Sequence, residues 1–278
     1  MTRFEAFRSR GGTSLLLDSA CGTRLIDRGL SLADSDPSLW VLDRAGQILD
    51  LHRRDVSAGS DILLTATFGA NRRRLALFGR SLEVEALNRC AVAIAREVAE
   101  DRLVVGSIGP PIDRDGIRDL REQAEWLRDA GCDAIAFETF DPTWASVVLK
   151  ECRRSLLIPF VVSLHSPRSY PADALKRLEA DGADVLGANC QADLLSATLD
   201  LEFLARSTSL PLWLKPGGGL PGGLPIGPQS FSEEAKRWLA LGVGFLGGCC
   251  GTDESHLAAL RLLISSAGGL SHPCSWPL

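Results

Sequence analysis

Eight short apolar runs, each five to seven residues long, constrain this chain more than any other feature: 14–18, 61–67, 103–107, 134–139, 159–164, 183–189, 211–215 and 244–248. Runs of this length bounded by turn residues suit strands buried on both faces. The segments between them carry helical periodicity. Residues 81–99 place Leu82, Ala86, Leu87, Ala91, Ile94 and Val98 in steps of three and four, and residues 117–130 do the same with Leu120, Ala124 and Leu127. Asp141-Pro142 and Asp253 stand where helix N-caps belong, and Gly131, Gly182 and Gly242 stand just past helical runs, where a left-handed residue ends a helix. Strand and helix therefore alternate along the whole chain, and 278 residues is the size of one large domain.

Eight β/α units in a chain of this length predict an α/β fold, a closed (β/α)8 TIM barrel in a single domain over residues 1–278, with 266–278 as a tail. An open doubly wound sheet would show a dinucleotide fingerprint after the first strand, and none is present. The net charge of −5 offers no field for nucleic acid or for an anionic membrane surface. The first 17 residues carry charges and only a three-leucine run, and no apolar stretch reaches the ~18 residues of a membrane span, so the expectation is a cytoplasmic protein. Nothing in the sequence sets the oligomeric state. The basic residues are nearly all arginine, Lys150, Lys176, Lys215 and Lys236 being the exceptions; this is read as a compositional bias, and Arg72-Arg73-Arg74 as a solvated helix start.

Chemistry in such a barrel sits where strands run into the loops that precede helices. The strand ends read Asp18, Thr65 to Phe68, Ser107 to Pro110, Glu138-Thr139, Ser163 to His165, Asn189-Cys190, Lys215 to Gly219 and Gly248 to Thr252. Cys190 ends the sixth strand and Cys249-Cys250 the eighth. Strands of equal parity share an interior layer, so these three sulfurs can converge. Three thiolates suit zinc with an open fourth position, and Gly247, Gly248 and Gly251 would let adjacent cysteines reach one ion. Ordinary packing of buried cysteines, a redox-active adjacent pair, and a phosphate cradle in the glycine-rich loops after strands seven and eight remain open on spacing alone. Cys21, after the first strand, is a candidate fourth ligand that would close the site; Cys90, Cys132, Cys152 and Cys274 read as packing or surface residues.

With these residues in place the chain resembles the homocysteine S-methyltransferase family, zinc-dependent thiol methyltransferases. The resemblance rests on Gly247-Gly248-Cys249-Cys250-Gly251-Thr252, supported by Gly187-Ala188-Asn189-Cys190, Ala58-Gly59-Ser60-Asp61 leading into Thr65-Ala66-Thr67-Phe68, Gly106-Ser107-Ile108-Gly109-Pro110, and Glu138-Thr139. It implies that Cys190, Cys249 and Cys250 bind Zn2+ and that Asp18 and Glu138 hold the amino group of homocysteine. The activity implied is methyl transfer from a sulfonium donor, S-methylmethionine or S-adenosylmethionine, to the homocysteine thiol, giving methionine. A betaine donor, another thiol acceptor, and a non-catalytic zinc or redox barrel are the alternatives. His165, after strand five, is given no catalytic role. Three departures from the family pattern stand out: Ser19-Ala20-Cys21 after Asp18 where glycine is usual, Ala66 in place of asparagine, and Lys215-Pro216-Gly217-Gly218-Gly219 where Pro-Asn-Ala-Gly is common.

Overall fold

The computed structural model describes residues 14–219 and 224–267, and in it every one of the eight apolar runs contributes a strand. In chain order these are β1 (Leu15–Leu16), β2 (Ile62–Leu64), β3 (Leu103–Ile108), β4 (Ala134–Phe140), β5 (Phe160–Leu164), β6 (Val185–Asn189), β7 (Leu212–Lys215) and β8 (Val243–Leu246). All pairings are parallel and follow the order β1-β8-β7-β6-β5-β4-β3-β2, the arrangement of a barrel. The last seam, between β1 and β2, is closed mostly by side chains. Asp61 N–H donates to Leu16 O at 2.7 Å while the Asp61 carboxylate accepts from Leu16 N–H at 2.8 Å. Ser60 Oγ adds a bond to Leu17 O at 3.2 Å, and Asp18 accepts from Leu64 N–H at 2.7 Å.

Leu17, Leu64, Val105, Ala136, Trp213 and Phe245 fill the barrel interior, with the Trp213 and Phe245 rings 5.6 Å apart. The opposite face of the strands packs on the ring of helices through a much larger apolar layer. That ring comprises α5 (Val84–Ala99), α6 (Gly116–Asp129), α7 (Pro142–Arg153), α8 (Ala172–Ala180), α9 (Leu194–Ser207), α10 (Pro228–Ala240) and α11 (Glu254–Ala267). Between β1 and β2 the chain makes a longer excursion through α1 (Gly22–Asp27), α2 (Trp40–Asp43) and α3 (Ala45–Ser57). These pack with α5 around a second apolar cluster that includes Leu25, Trp40, Ile48 and Leu87. The short α4 (Arg72–Ala76) follows β2 and is the arginine-rich helix start, its charges met by Asp36, Asp113 and Glu122.

The helix punctuation falls where the residue types place it. Asp141 accepts from Thr143 and Trp144 N–H at the start of α7, Asp253 from Ser255 N–H at the start of α11, and Gly131, Gly182 and Gly242 all have positive φ. Two details differ from expectation. Leu82 lies outside α5 and is 91% exposed, because the buried stripe of that helix starts at Val84 and continues through Leu87, Ala91 and Ile94. The expected tail begins too early, since α11 runs through 266 and 267; the remainder, 268–278, with Cys274, lies outside the described residues. No helix among the described residues is long and apolar enough to cross a membrane.

Candidate metal and substrate site

Two backbone features bring the mouth cysteines together. Cys190 follows the last residue of β6 in the left-handed region, φ 64°, with its N–H bonded to Lys215 O at 3.0 Å. A non-glycine residue is rare there, and such strain gathers at functional sites. After β8 the chain is drawn tightly against its neighbours: Gly248 N–H donates to Asp18 O at 3.1 Å, Cys249 N–H to Pro216 O at 2.8 Å, and Thr252 Oγ1 to Cys249 O at 2.7 Å. A Cβ on Gly247 would stand 2.6 Å from Leu17 Cβ, and one on Gly248 would stand 2.2 Å from Thr252 Oγ1. These two glycines therefore serve close approach, and Gly251, at φ 81°, makes the turn.

The outcome is a cluster of Cys190, Cys249 and Cys250 whose sulfurs all lie within 4.8 Å of one another, each half-buried, with Cys190 Sγ 3.4 Å from Cys250 Sγ. Zinc–thiolate bonds of about 2.3 Å in a tetrahedral site put sulfurs just under ~4 Å apart, so the donor set and its spacing suit such an ion. The protons are unequally held. Hydrogen bonds from Cys190 and Cys249 hold the Cys250 thiol well below the usual thiol range, while contacts with Cys249 and Cys250 and burial push Cys190 far above it. A divalent cation relieves this crowding by replacing the shared protons. Cys21 is not part of the cluster. It stands at the start of α1, its thiol pushed up to about 12 by burial and by Asp18.

The predicted carboxylates end strands at the same mouth, and both are buried. Glu138, 7% exposed at the end of β4, accepts from Ser107 Oγ, and burial lifts its carboxyl to about 7 although Lys215 opposes the shift. Immediately after it Thr139 takes a left-handed conformation, φ 64°, held by Asn189: Oδ1 accepts from Thr139 N–H at 3.0 Å and Nδ2 donates to Thr139 Oγ1 at 2.8 Å. Asn189 thus ties the turn after Glu138 to the residue that precedes Cys190. Asp18 is engaged on both oxygens, by Leu64 N–H and by the ammonium of Lys215.

Lys215 is the residue that reading the sequence missed. Its signal was a lysine closing an apolar strand in a lysine-poor chain; it is 4% exposed and ion-paired. The departure after it also has a physical basis, since a Cβ at Gly217 would meet Gln191 O at 2.5 Å, so this packing has no room for the asparagine common in the family pattern. His165 is exposed, and Phe68, 38% exposed at the end of the second strand, lies close over Gly109. The phosphate cradle finds no support at α11, whose N-terminus is already served by Asp253 and begins with Glu254, itself paired with Arg24 and Arg54.

A parallel (β/α)8 barrel that gathers three thiols and two buried carboxylates at the carboxyl ends of its strands defines the class, a barrel with a metal-capable thiol mouth. The chain belongs to the homocysteine S-methyltransferase family, whose profile matches residues 15–264. Among curated relatives it is 28% identical over 293 residues to methionine synthase of Mycobacterium leprae, covering 89% of this chain and 24% of that protein, so the chain spans about a quarter of that relative. It is also 28% identical over 279 residues to the S-methylmethionine–homocysteine S-methyltransferase BHMT2 of Pongo abelii, covering 85% of this chain and 76% of that one. The metallated homocysteine methyltransferase MmuM of Escherichia coli superposes with a TM-score of 0.81 at 25% identity, covering 94% of this chain and 99% of MmuM.

Proposed function

We propose that this chain transfers a methyl group from a sulfonium donor, S-methylmethionine or S-adenosylmethionine, to the thiol of homocysteine, giving methionine, at a zinc site made by Cys190, Cys249 and Cys250. The observation that carries this reading is the convergence of three sulfurs within 4.8 Å at the catalytic end of the barrel. When bound, zinc would lower the pKa of the acceptor thiol and hold its sulfur at the open fourth position. Three closely spaced free thiols also fit a reducing, cytoplasmic compartment.

The protein residues would position and desolvate the reactants. Glu138, its carboxyl fixed by Ser107, and Asp18, already paired with Lys215, are the buried acids that face an acceptor ammonium at the mouth. In the transfer the acceptor sulfur forms a bond to the methyl carbon as the donor's sulfur–carbon bond breaks, and the positive charge of the sulfonium is lost with it. Such a donor needs no acid to activate its leaving group, so alignment and exclusion of water supply most of the catalysis. The S-methylmethionine choice is supported by the relative named for that donor. A different thiol acceptor is the second reading, and the Lys215–Asp18 pair is what favours it.

The test is zinc stoichiometry on reduced protein followed by zinc-edge X-ray absorption with and without homocysteine. One zinc whose sulfur coordination rises from three to four on adding homocysteine is expected, together with methionine formation from one of the donors. Cys249→Ala should lose zinc and methyl transfer together. Full activity without metal, or four sulfurs already bound in the absence of thiol, would overturn the reading.

A further inference from the structure

Beside the three thiols the mouth of the barrel holds a buried ammonium of its own. Lys215 stands at the end of β7, one strand away from β8 and its cysteines, and its Nζ is ion-paired with Asp18 on β1's side of the barrel. It is also electrostatically coupled to Glu138. Burying a lysine is costly unless a carboxylate pairs with it, and here Asp18 does so. The remaining oxygen of Asp18 accepts from Leu64 N–H, and one oxygen of Glu138 accepts from Ser107 Oγ. Before a substrate arrives, Asp18 has no oxygen without a donor.

An acceptor that carries an α-ammonium would bring a second cation to this same pair of acids. We propose that Lys215 is the acceptor-specificity residue of this chain: its side-chain ammonium takes Asp18 from the substrate, so the site binds small thiols with little preference for those that carry an amino group. The acceptor class is accordingly small thiols, amino acids and their deamino analogues alike. Removal of the Lys215 charge would free Asp18 and turn the site into one that demands an ammonium from its ligand.

This inference rests on the thiol-acceptor reading above, and binding separates the two. Isothermal titration of the zinc-loaded protein is made with homocysteine and with 4-mercaptobutanoate, which is homocysteine without its amino group. The wild-type protein is expected to bind the two within about threefold of one another, whereas Lys215→Met should favour homocysteine by on the order of tenfold or more, the usual effect of gaining one charge-assisted hydrogen bond. In the double variant Asp18→Asn/Lys215→Met, which leaves no unpaired carboxylate at that position, the preference should fall back toward the wild-type ratio. A wild-type preference for homocysteine above about thirtyfold, or a ratio that Lys215→Met leaves unchanged, would overturn the assignment; should the single variant fail to fold, the wild-type ratio alone decides. Methyl transfer is scored separately, so failure of every donor with the binding ratios as stated would overturn the methyl-transfer reading and leave Lys215 in its role.

Discussion

His52 shows how a single buried side chain on the helical excursion senses the charges behind the site. It lies on α3, 4% exposed, with Nε2 lacking a protein partner, and burial holds its imidazole down at about 4. Arg24 adds to that depression and Asp18 opposes it. Arg24 is itself locked to Asp55 at 2.7 Å and to Glu254 at 2.8 Å, which bridges the first helix to the last. Because the folded pKa lies below the unfolded value near 6.5, His52 contributes stability that is complete above that pH and is lost as pH falls through 4. The interval corresponds to about 3 kcal/mol at its fullest. Urea unfolding of wild type and His52→Leu across this window should therefore show the variant gaining relative stability by up to about that amount as pH drops. Parallel pH profiles would remove His52 from the account.

Among the elements, the loop after β7 is the one whose sequence looks least regular and whose packing is most demanding. Gly217 N–H bonds Gln191 O at 3.3 Å and Gly218 N–H bonds Cys250 O at 2.7 Å, so this loop is pinned against both cysteine-bearing loops. A Cβ at 217 would come within 2.5 Å of the Gln191 carbonyl oxygen, a backbone atom that cannot swing aside. Gly217→Asn, although it restores the residue common in the family pattern, should destabilise by about 1–3 kcal/mol, the usual cost of overpacking, and a thermal melt that matches the wild type would contradict this packing. The strands and their order were legible in the sequence because a parallel strand buried on both faces is a continuous apolar run, and the cysteine cluster because strand ends in a barrel face one mouth. The β1–β2 seam was not, since Asp61 and Asp18 close it with side chains and leave no periodic trace. Lys215 escaped for a related reason. An ion pair between residues 18 and 215 has no signature in local spacing, whereas Asp18 and Glu138 are visible as acids at strand ends.

At the scale of the whole molecule, the site joins parts of the barrel that are far apart in sequence. Cys190 follows β6, Cys249 and Cys250 follow β8, and the β7 loop lies between them, while Arg261 of α11 donates to Asp61 at the seam where β1 meets β2. A metal held by the three sulfurs would therefore cross-link the end of the chain's sixth unit to its eighth, next to the strand that begins the barrel. Anything that binds the folded state and not the unfolded one stabilises by RT ln(1 + [L]/Kd), which is about 2.7 kcal/mol at a hundredfold excess over Kd. For a domain of this size each kcal/mol moves the melting temperature by about 2–4 °C, so zinc added to reduced, chelator-stripped protein should raise it by roughly 5–10 °C. Cys249→Ala, with one of three ligands gone, should lose most of that increment while its metal-free melting temperature stays near that of the metal-free wild type, because the half-buried thiol fills little of the core. Scanning calorimetry of both proteins with and without zinc separates the staple from the packing. An equal rise in the variant would mean that the ion binds elsewhere, and no rise in either would mean that the three sulfurs, although assembled by the fold, do not hold a metal.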